Sequence, residues 1–283
     1  MVQTTWGIPQ GRTDMAEPKI VFSDVDGTIV DGVHHPMPAD APTFARLAER
    51  GVPVCLVSAR SPEGVESVRS RLGIVGAMAC FSGAYVLGPH GEELVSRTIS
   101  LEAAAEIKDF LVHDLPQVVA ATYGFHTWVV DDRTDPRNVE EEYFVQAQAT
   151  QCADVRAAFD ERGIHKFLLM GEPAQILRAR DVVRERHPEV TAVLSRPELC
   201  EIMAGGVSKA DAVHAICDYY GVSPADAVAF GDGENDLEMM RAVGSSYAMA
   251  NAVPAVKEAA MHVCPWSNVE GGVARTLAEV FGL

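Results

Sequence analysis

Long apolar runs are missing from this chain. No uninterrupted hydrophobic stretch approaches the roughly 20 residues that span a bilayer, which excludes a membrane-spanning helix and a membrane partner. Positive charge is also scarce, with 23 Lys and Arg against 40 Asp and Glu and a formal net charge of -17. A polyanion held by counterion release needs the opposite balance, so nucleic acid is excluded as a partner. Cysteines are few and unpaired in pattern. The six, at 55, 80, 152, 200, 217 and 264, contain no CxxC and mostly sit in apolar runs such as Val54-Cys55-Leu56-Val57, as buried free thiols of a reducing compartment do. Gly (23) and Pro (16) are too few, and hydrophobic residues at 48% too many, for a disordered or fibrous chain. The first 17 residues are polar, carry Arg12 and lack an apolar core. They predict a loose tail and no signal peptide, and with the thiols they point to a soluble cytoplasmic protein.

What is present is a rhythm of short Val-, Ile- and Ala-rich runs alternating with amphipathic stretches from Pro18 onward, the mark of βα units around a parallel sheet. Strands are predicted over 19–23, 52–57 and 77–81, with helices over 40–50 and from Ser61-Pro62-Glu63 to Leu72. Near the other end, Ser208 caps a predicted helix to Tyr220, followed by a strand over 227–230, a helix over 236–242, a strand over 246–249, a helix over 254–260, the run 262–264 and a closing helix from Gly271. The middle reads differently. A helix over 101–113, strands over 118–122 and 127–130, a helix over 154–162, a strand over 167–170, a helix over 173–186 and strands over 192–194 and 199–203 put strands beside one another, as in an α+β sheet. The chain thus reads as an α/β fold. Residues 18–83 and 205–283 form a doubly wound, Rossmann-like core, and 84–204 form an inserted α+β domain. The acidic run Glu140-Glu141-Glu142 reads as a solvated helix start.

Chemistry gathers at strand ends. Asp24 and Asp26 follow the first strand, where a two-residue period aims both carboxylates the same way, at the end of an open α/β sheet where ligands bind. Two like charges so close favour a divalent cation or a raised pKa on one of them. Gly27 and Thr28 form a tight turn whose N–H groups can face an oxyanion. Gly231-Asp232-Gly233-Glu234-Asn235-Asp236 repeats the arrangement after another buried strand, and hard oxygen ligands of this kind suit Mg²⁺. Ser58 reads either as a donor to a phosphoryl oxygen or as a plain loop serine. Lys209, at a helix start where the dipole disfavours a cation, reads either as a functional charge or as a surface lysine.

In this order, Asp24-Val25-Asp26-Gly27-Thr28, Ser58, Lys209 and Gly231 to Asp236 resemble the four motifs of the haloacid dehalogenase superfamily. The long insertion between the second and third motifs is similar to its Cof-like subgroup with an α+β (type IIB) cap. The resemblance runs from about Lys19 to the C-terminus and includes Phe81-Ser82-Gly83-Ala84 at the crossing into the cap and Met249-Ala250-Asn251-Ala252 after the last motif. Ser82 stands where the family often has Asn, and Ala210 where Gly is frequent.

The resemblance implies a Mg²⁺-dependent phosphatase acting on a small phosphorylated metabolite such as a sugar phosphate. In it Asp24 forms an aspartyl-phosphate and Asp26 serves as general acid and then base. It further implies that Mg²⁺ is held by the Asp24 carboxylate, the Asp26 main-chain carbonyl, Asp232 and Asp236. The loop Ser58-Ala59-Arg60, the Gly27-Thr28 turn and Lys209 bind the phosphoryl group, and Asn235 orients Lys209 or the substrate. Arg60 is either a substrate contact or an ion-pair partner. An acid at Asp26 fits phosphatases or phosphomutases, and water versus a sugar hydroxyl as acceptor is not written in the motifs; a noncatalytic binding module is a third reading. Candidate cap contacts are His126, Trp128, Arg133, Lys166, Arg196 and Glu198. A monomer or homodimer is the prior for its assembly.

Overall fold

The computed structural model describes residues 17–31, 35–145 and 147–283; apart from Glu17, the tail expected over residues 1–17 lies outside them. The chain opens with β1 (Ile20–Ser23), α1 (Ala41–Glu49), β2 (Val54–Val57), α2 (Pro62–Leu72) and β3 (Met78–Cys80). Every residue of these three strands is buried, the condition of a parallel sheet covered by helices on both sides. Ser61 caps α2 by accepting the Gly64 N–H at 3.3 Å, with Pro62 at the first helical position.

A hairpin of β4 (Tyr85–Leu87) and β5 (Glu93–Ser96) follows, and here the sequence-based boundary moves. In residues 84–96, expected in the inserted domain, β4 pairs antiparallel with β3 and β5 with β4, extending the core sheet. The insertion proper runs through α3 (Leu101–Asp114), β6 (Val119–Gly124), β7 (Thr127–Val130), α4 (Pro136–Val145), β8 (Thr150–Gln151), α5 (Val155–Ala158), β9 (Lys166–Met170), α6 (Pro173–Arg186), β10 (Val190–Arg196) and β11 (Leu199–Ala204). Its strands form a second sheet in the order β10-β11-β9-β6-β7-β8, antiparallel except between β7 and β8. Two local expectations fail. The helix predicted over 154–162 stops at Ala158, because Phe159 turns extended (φ -128°, ψ 154°) to bury its ring. The acidic run lies inside α4 and not at its start, and only Glu140 of the three is exposed.

The chain returns to the core with α7 (Lys209–Tyr220), β12 (Ala227–Gly231), α8 (Leu237–Ala242), β13 (Ser245–Ala248), α9 (Pro254–Ala259), β14 (His262–Val263) and α10 (Gly272–Val280). The core sheet order is β14-β13-β12-β1-β2-β3-β4-β5, parallel from β14 to β3. Alternation along β1 feeds both layers. Ile20 and Phe22 pack with Val213 and Ile216 of α7 and Met239 of α8, while Val21 packs with Phe44 and Leu47 of α1, Val65 of α2 and Leu277 of α10. In the second sheet, Phe167 and Leu169 of β9 face α3 and α6, whereas Leu168 and Met170 join the apolar cluster that continues into the core.

Between β3 and β4, Phe81 (φ 50°), Ser82 (φ 56°) and Gly83 (φ 103°) are all left-handed. A side chain at Gly83 would strike the Ser208 carbonyl. The strain is opposed by packing, since the buried Phe81 ring stacks on His165 at 5.5 Å and meets Tyr123 of β6 at 5.9 Å.

Candidate active site

Strand register gathers the motif residues. Ser23 lies opposite Phe230 of β12 and opposite Leu56 of β2, so three strands end level and release Asp24, Ser58 and Asp232 into one crevice. Beyond Ser23 the chain does not stay extended. The N–H groups of Thr28 and Ile29 turn back to the Val25 carbonyl at 3.3 and 3.0 Å. This turn corrects the expectation that two-residue spacing aims Asp24 and Asp26 alike, and the Thr28 N–H is turned to Val25 and not toward a ligand.

At the crevice floor Lys209, the first residue of α7, donates from Nζ to Asp24 Oδ1 at 2.6 Å and to Asp236 Oδ1 at 2.7 Å. All three side chains are buried. Asp236 Oδ2 accepts the N–H groups of Asp232 and Gly233, each at 3.0 Å, and Thr28 Oγ1 donates to Asp232 Oδ1 at 2.8 Å. Oxygens of Asp24, Asp232 and Asp236 lie within 4.8 Å of one another. Two carboxylates thus hold one ammonium, with a third carboxylate beside them. Burial, and then the Asp236 charge, push the Asp24 carboxyl well above the usual range, with Lys209 offsetting part of the rise. Burial carries Asp232 up to about 6. Burial works against the Lys209 charge as well, but Asp236 and Asp24 together outweigh it and hold the ammonium above its ordinary value. A hard divalent cation fits this oxygen-only, charge-excess donor set, and Asp24 Oδ2 and Asp232 Oδ2 accept no hydrogen bond among the described residues.

Asp26 faces elsewhere. Arg60 forks onto its carboxylate, Nε to Oδ2 at 2.9 Å and Nη2 to Oδ1 at 2.7 Å. Ser58 is buried, its N–H donates to Ala79 of β3 at 2.9 Å, and its hydroxyl accepts the Arg60 N–H at 3.2 Å. That leaves the hydroxyl proton, and not the N–H, for a ligand. The Thr28 hydroxyl holds Asp232, and Asp24 and Asp236, not the exposed Asn235, orient Lys209. Gly27 (φ 77°) is glycine for a reason, since a Cβ there would run into the Asp232 carboxylate. Its carbonyl accepts from Asn251 Nδ2 at 2.7 Å. Asn251 had no role on sequence, its one signal being its place just past the last motif.

A cavity of about 780 Å³ opens between this crevice and the second sheet, bounded by Asp26, Ala59 and Arg60 on one side and by β9, β11 and α4 on the other. Lys166, buried, reaches across it to donate to the Ala59 carbonyl at 3.1 Å while pairing with Glu201 at 2.9 Å. Of the six candidate contacts from the insertion, Lys166, Arg196 and Glu198 line the cavity. The others do not: His126 meets Glu63 of α2 at 2.9 Å, Arg133 pairs with Glu142 at 2.9 Å, and Trp128 is buried against Tyr123. Sequence reasoning missed Glu141 and Glu201. Glu141 accepts from the Tyr123 hydroxyl at 3.4 Å, and burial raises its carboxyl, with Lys166 offsetting part. A lone charge inside Leu199-Cys200-Glu201-Ile202-Met203 was the available signal.

Residues 21–277 match the haloacid dehalogenase-like hydrolase family. The chain belongs to that family. A putative phosphatase of Haemophilus influenzae is 31% identical to this hydrolase over 267 residues, covering 93% of this chain and 98% of its own. The 5-amino-6-(5-phospho-D-ribitylamino)uracil phosphatase of Bacillus subtilis is 26% identical, covering 94% and 99%. A haloacid dehalogenase-like hydrolase of Bacteroides thetaiotaomicron shares the fold with a TM-score of 0.87 at 22% identity, over 93% of this chain and all of that one. The family match and the full-length relatives make this protein an enzyme, a phosphoric monoester hydrolase of the haloacid dehalogenase type. No helix among its described residues is long and apolar enough to cross a membrane.

Proposed function

We propose that the hydrolase is a Mg²⁺-dependent phosphatase of a small phosphorylated metabolite and works through an aspartyl-phosphate on Asp24. One observation carries the reading: the Asp24 carboxylate is buried at the end of β1, 2.6 Å from Lys209, beside the cavity that Asp26 lines. Relatives named as phosphatases, one of them for a phosphorylated ribitylaminouracil, support a small-molecule substrate.

An Asp24 oxygen attacks phosphorus, and the bond to the leaving alcohol breaks as Asp26, in its protonated form and turned off Arg60, gives its proton to the alcohol oxygen. Asp26, now a carboxylate, removes a proton from the water that attacks the phosphoryl-aspartate, releasing phosphate and restoring both acids. Lys209 offsets charge on the phosphoryl oxygens, the Ser58 hydroxyl donates to one of them, and Arg60 positions Asp26 at the cavity wall. Asp24, Asp232 and Asp236, with the Asp26 carbonyl, would hold Mg²⁺, which when bound neutralises charge at the phosphoryl group. Thr28 and Asn251 brace this set, one on Asp232 and the other on the Gly27 turn.

The test is Asp24→Asn. The variant is expected to keep the wild-type circular dichroism spectrum and to lose turnover of p-nitrophenyl phosphate; retained Mg²⁺-dependent hydrolysis would falsify the reading.

A further inference from the structure

We propose that the alcohol this enzyme releases carries no anionic group of its own, so that its substrates are monophosphates free of a carboxylate or second phosphate. The inference rests on the phosphatase reading and narrows it.

The cavity that receives the leaving group holds cations that are already engaged. Arg60 is forked onto Asp26, Lys166 is 2.9 Å from Glu201, and Arg137 is held by Asp135 at 2.9 and 2.7 Å. Arg196, exposed at the end of β10, is the exception among the described lining residues. Carboxylates are in excess. Glu140, Glu141, Glu172 and Glu198 line the same space with no cation within ion-pair distance among the described residues. Beyond Lys166, the one cation on the floor among the described residues is Arg196, opposite Leu199. Along β9 the cavity-facing residues are Lys166, Leu168 and Met170; Leu168 lies opposite Glu201 of β11 and Met170 opposite Leu199, so beyond the Lys166–Glu201 pair the floor is apolar as far as Arg196 at the edge of β10. That apolar row begins about 7 Å from Lys166 and ends about 13 Å away, at roughly 3.3 Å per residue.

An anionic group there meets like charge from the walls and loses its hydration over the floor. A hydroxyl-bearing neutral alcohol meets neither penalty, and Glu141 and Glu201 can accept its hydroxyls. The same walls disfavour the bisphosphate that a phosphomutase must hold.

Matched phosphate esters test this, assayed with Mg²⁺ as substrates or as competitors of p-nitrophenyl phosphate. Glucose 6-phosphate is compared with 6-phosphogluconate, and fructose 6-phosphate with fructose 1,6-bisphosphate. The neutral-alcohol member of each pair is expected to be favoured by about tenfold or more in kcat/KM or competition constant. Glu201→Gln, which releases Lys166, and Glu141→Gln are expected to shrink that ratio toward one. Equal or reversed ratios in the wild-type enzyme overturn the inference even if neither variant folds, and ratios unmoved in both folded variants overturn it as well. If p-nitrophenyl phosphate is also inert, the phosphatase reading falls and takes the inference with it; if it is hydrolysed while the anionic members win, the inference falls alone.

Discussion

Thr28 shows how much rests on one hydroxyl. Its side chain is buried and its bond to Asp232 is what aims that carboxylate at the proposed metal position. Thr28→Val keeps the volume and removes the donor, so the Mg²⁺ concentration for half-maximal activity is expected to rise about tenfold, with kcat at saturating Mg²⁺ little changed. A metal titration of p-nitrophenyl phosphate turnover checks it, and an unmoved midpoint contradicts it. His165 acts on stability. The ring is fully buried, accepts the Phe125 N–H on Nδ1 at 3.0 Å and lies 3.1 Å from Ser96 Oγ at Nε2; burial, helped by Arg162, lowers its pKa to about 4. The folded state therefore holds His165 neutral, while the unfolded chain protonates near pH 6.5. This contribution is complete above pH 6.5 and is lost as pH falls toward 4, by about 3 kcal/mol in all. Urea unfolding at pH 7.5 and 4.5 should show a smaller loss for His165→Gln than for the wild type, and equal losses would remove the histidine from the account.

Among the elements, the left-handed run Phe81-Ser82-Gly83 carries the clearest local cost. An L-residue there costs roughly 1 kcal/mol, and Asn tolerates the conformation better than Ser. Ser82→Asn is expected to stabilise the protein by about 0.5 kcal/mol and raise Tm by about 1 °C, at roughly 2 °C per kcal/mol for a chain of this size; a lower Tm in calorimetry would count against it. Elements marked by local chemistry are legible in the sequence. Ser61-Pro62 fixes the start of α2, Pro173 that of α6, and Ser208 that of α7, because caps and prolines act within one turn. The hairpin β4–β5 is not legible in this way, since strands of three and four residues say little about which sheet they will join. The site divides the same way. Asp24, Asp232 and Lys209 stand in recognisable positions at strand and helix ends. Where the Thr28 hydroxyl points depends on a partner 204 residues away, brought near by the β1–β12 register, and no local pattern encodes that.

At the scale of the whole molecule, a charge of -17 repels a dianionic ester at long range, whereas Lys209 and the proposed metal act only once it has arrived. Salt shortens the reach of the repulsion to about 8 Å at physiological ionic strength. Raising NaCl from 10 to 150 mM is therefore expected to increase kcat/KM about twofold, the reverse of the usual response of an enzyme with a basic funnel. Stopped-time assays across that range decide it, and a falling kcat/KM would mean that the local field governs encounter. The thiols have a use of another kind. Five of the six cysteines are buried, and burial lifts Cys217 to about 11 and Cys200 to about 12, far from nucleophilic at neutral pH. Cys152, just past β8, is half-buried and reachable. A maleimide dye therefore has one address in the native enzyme, on the inserted sheet, and its fluorescence can follow the insertion during turnover without an engineered label.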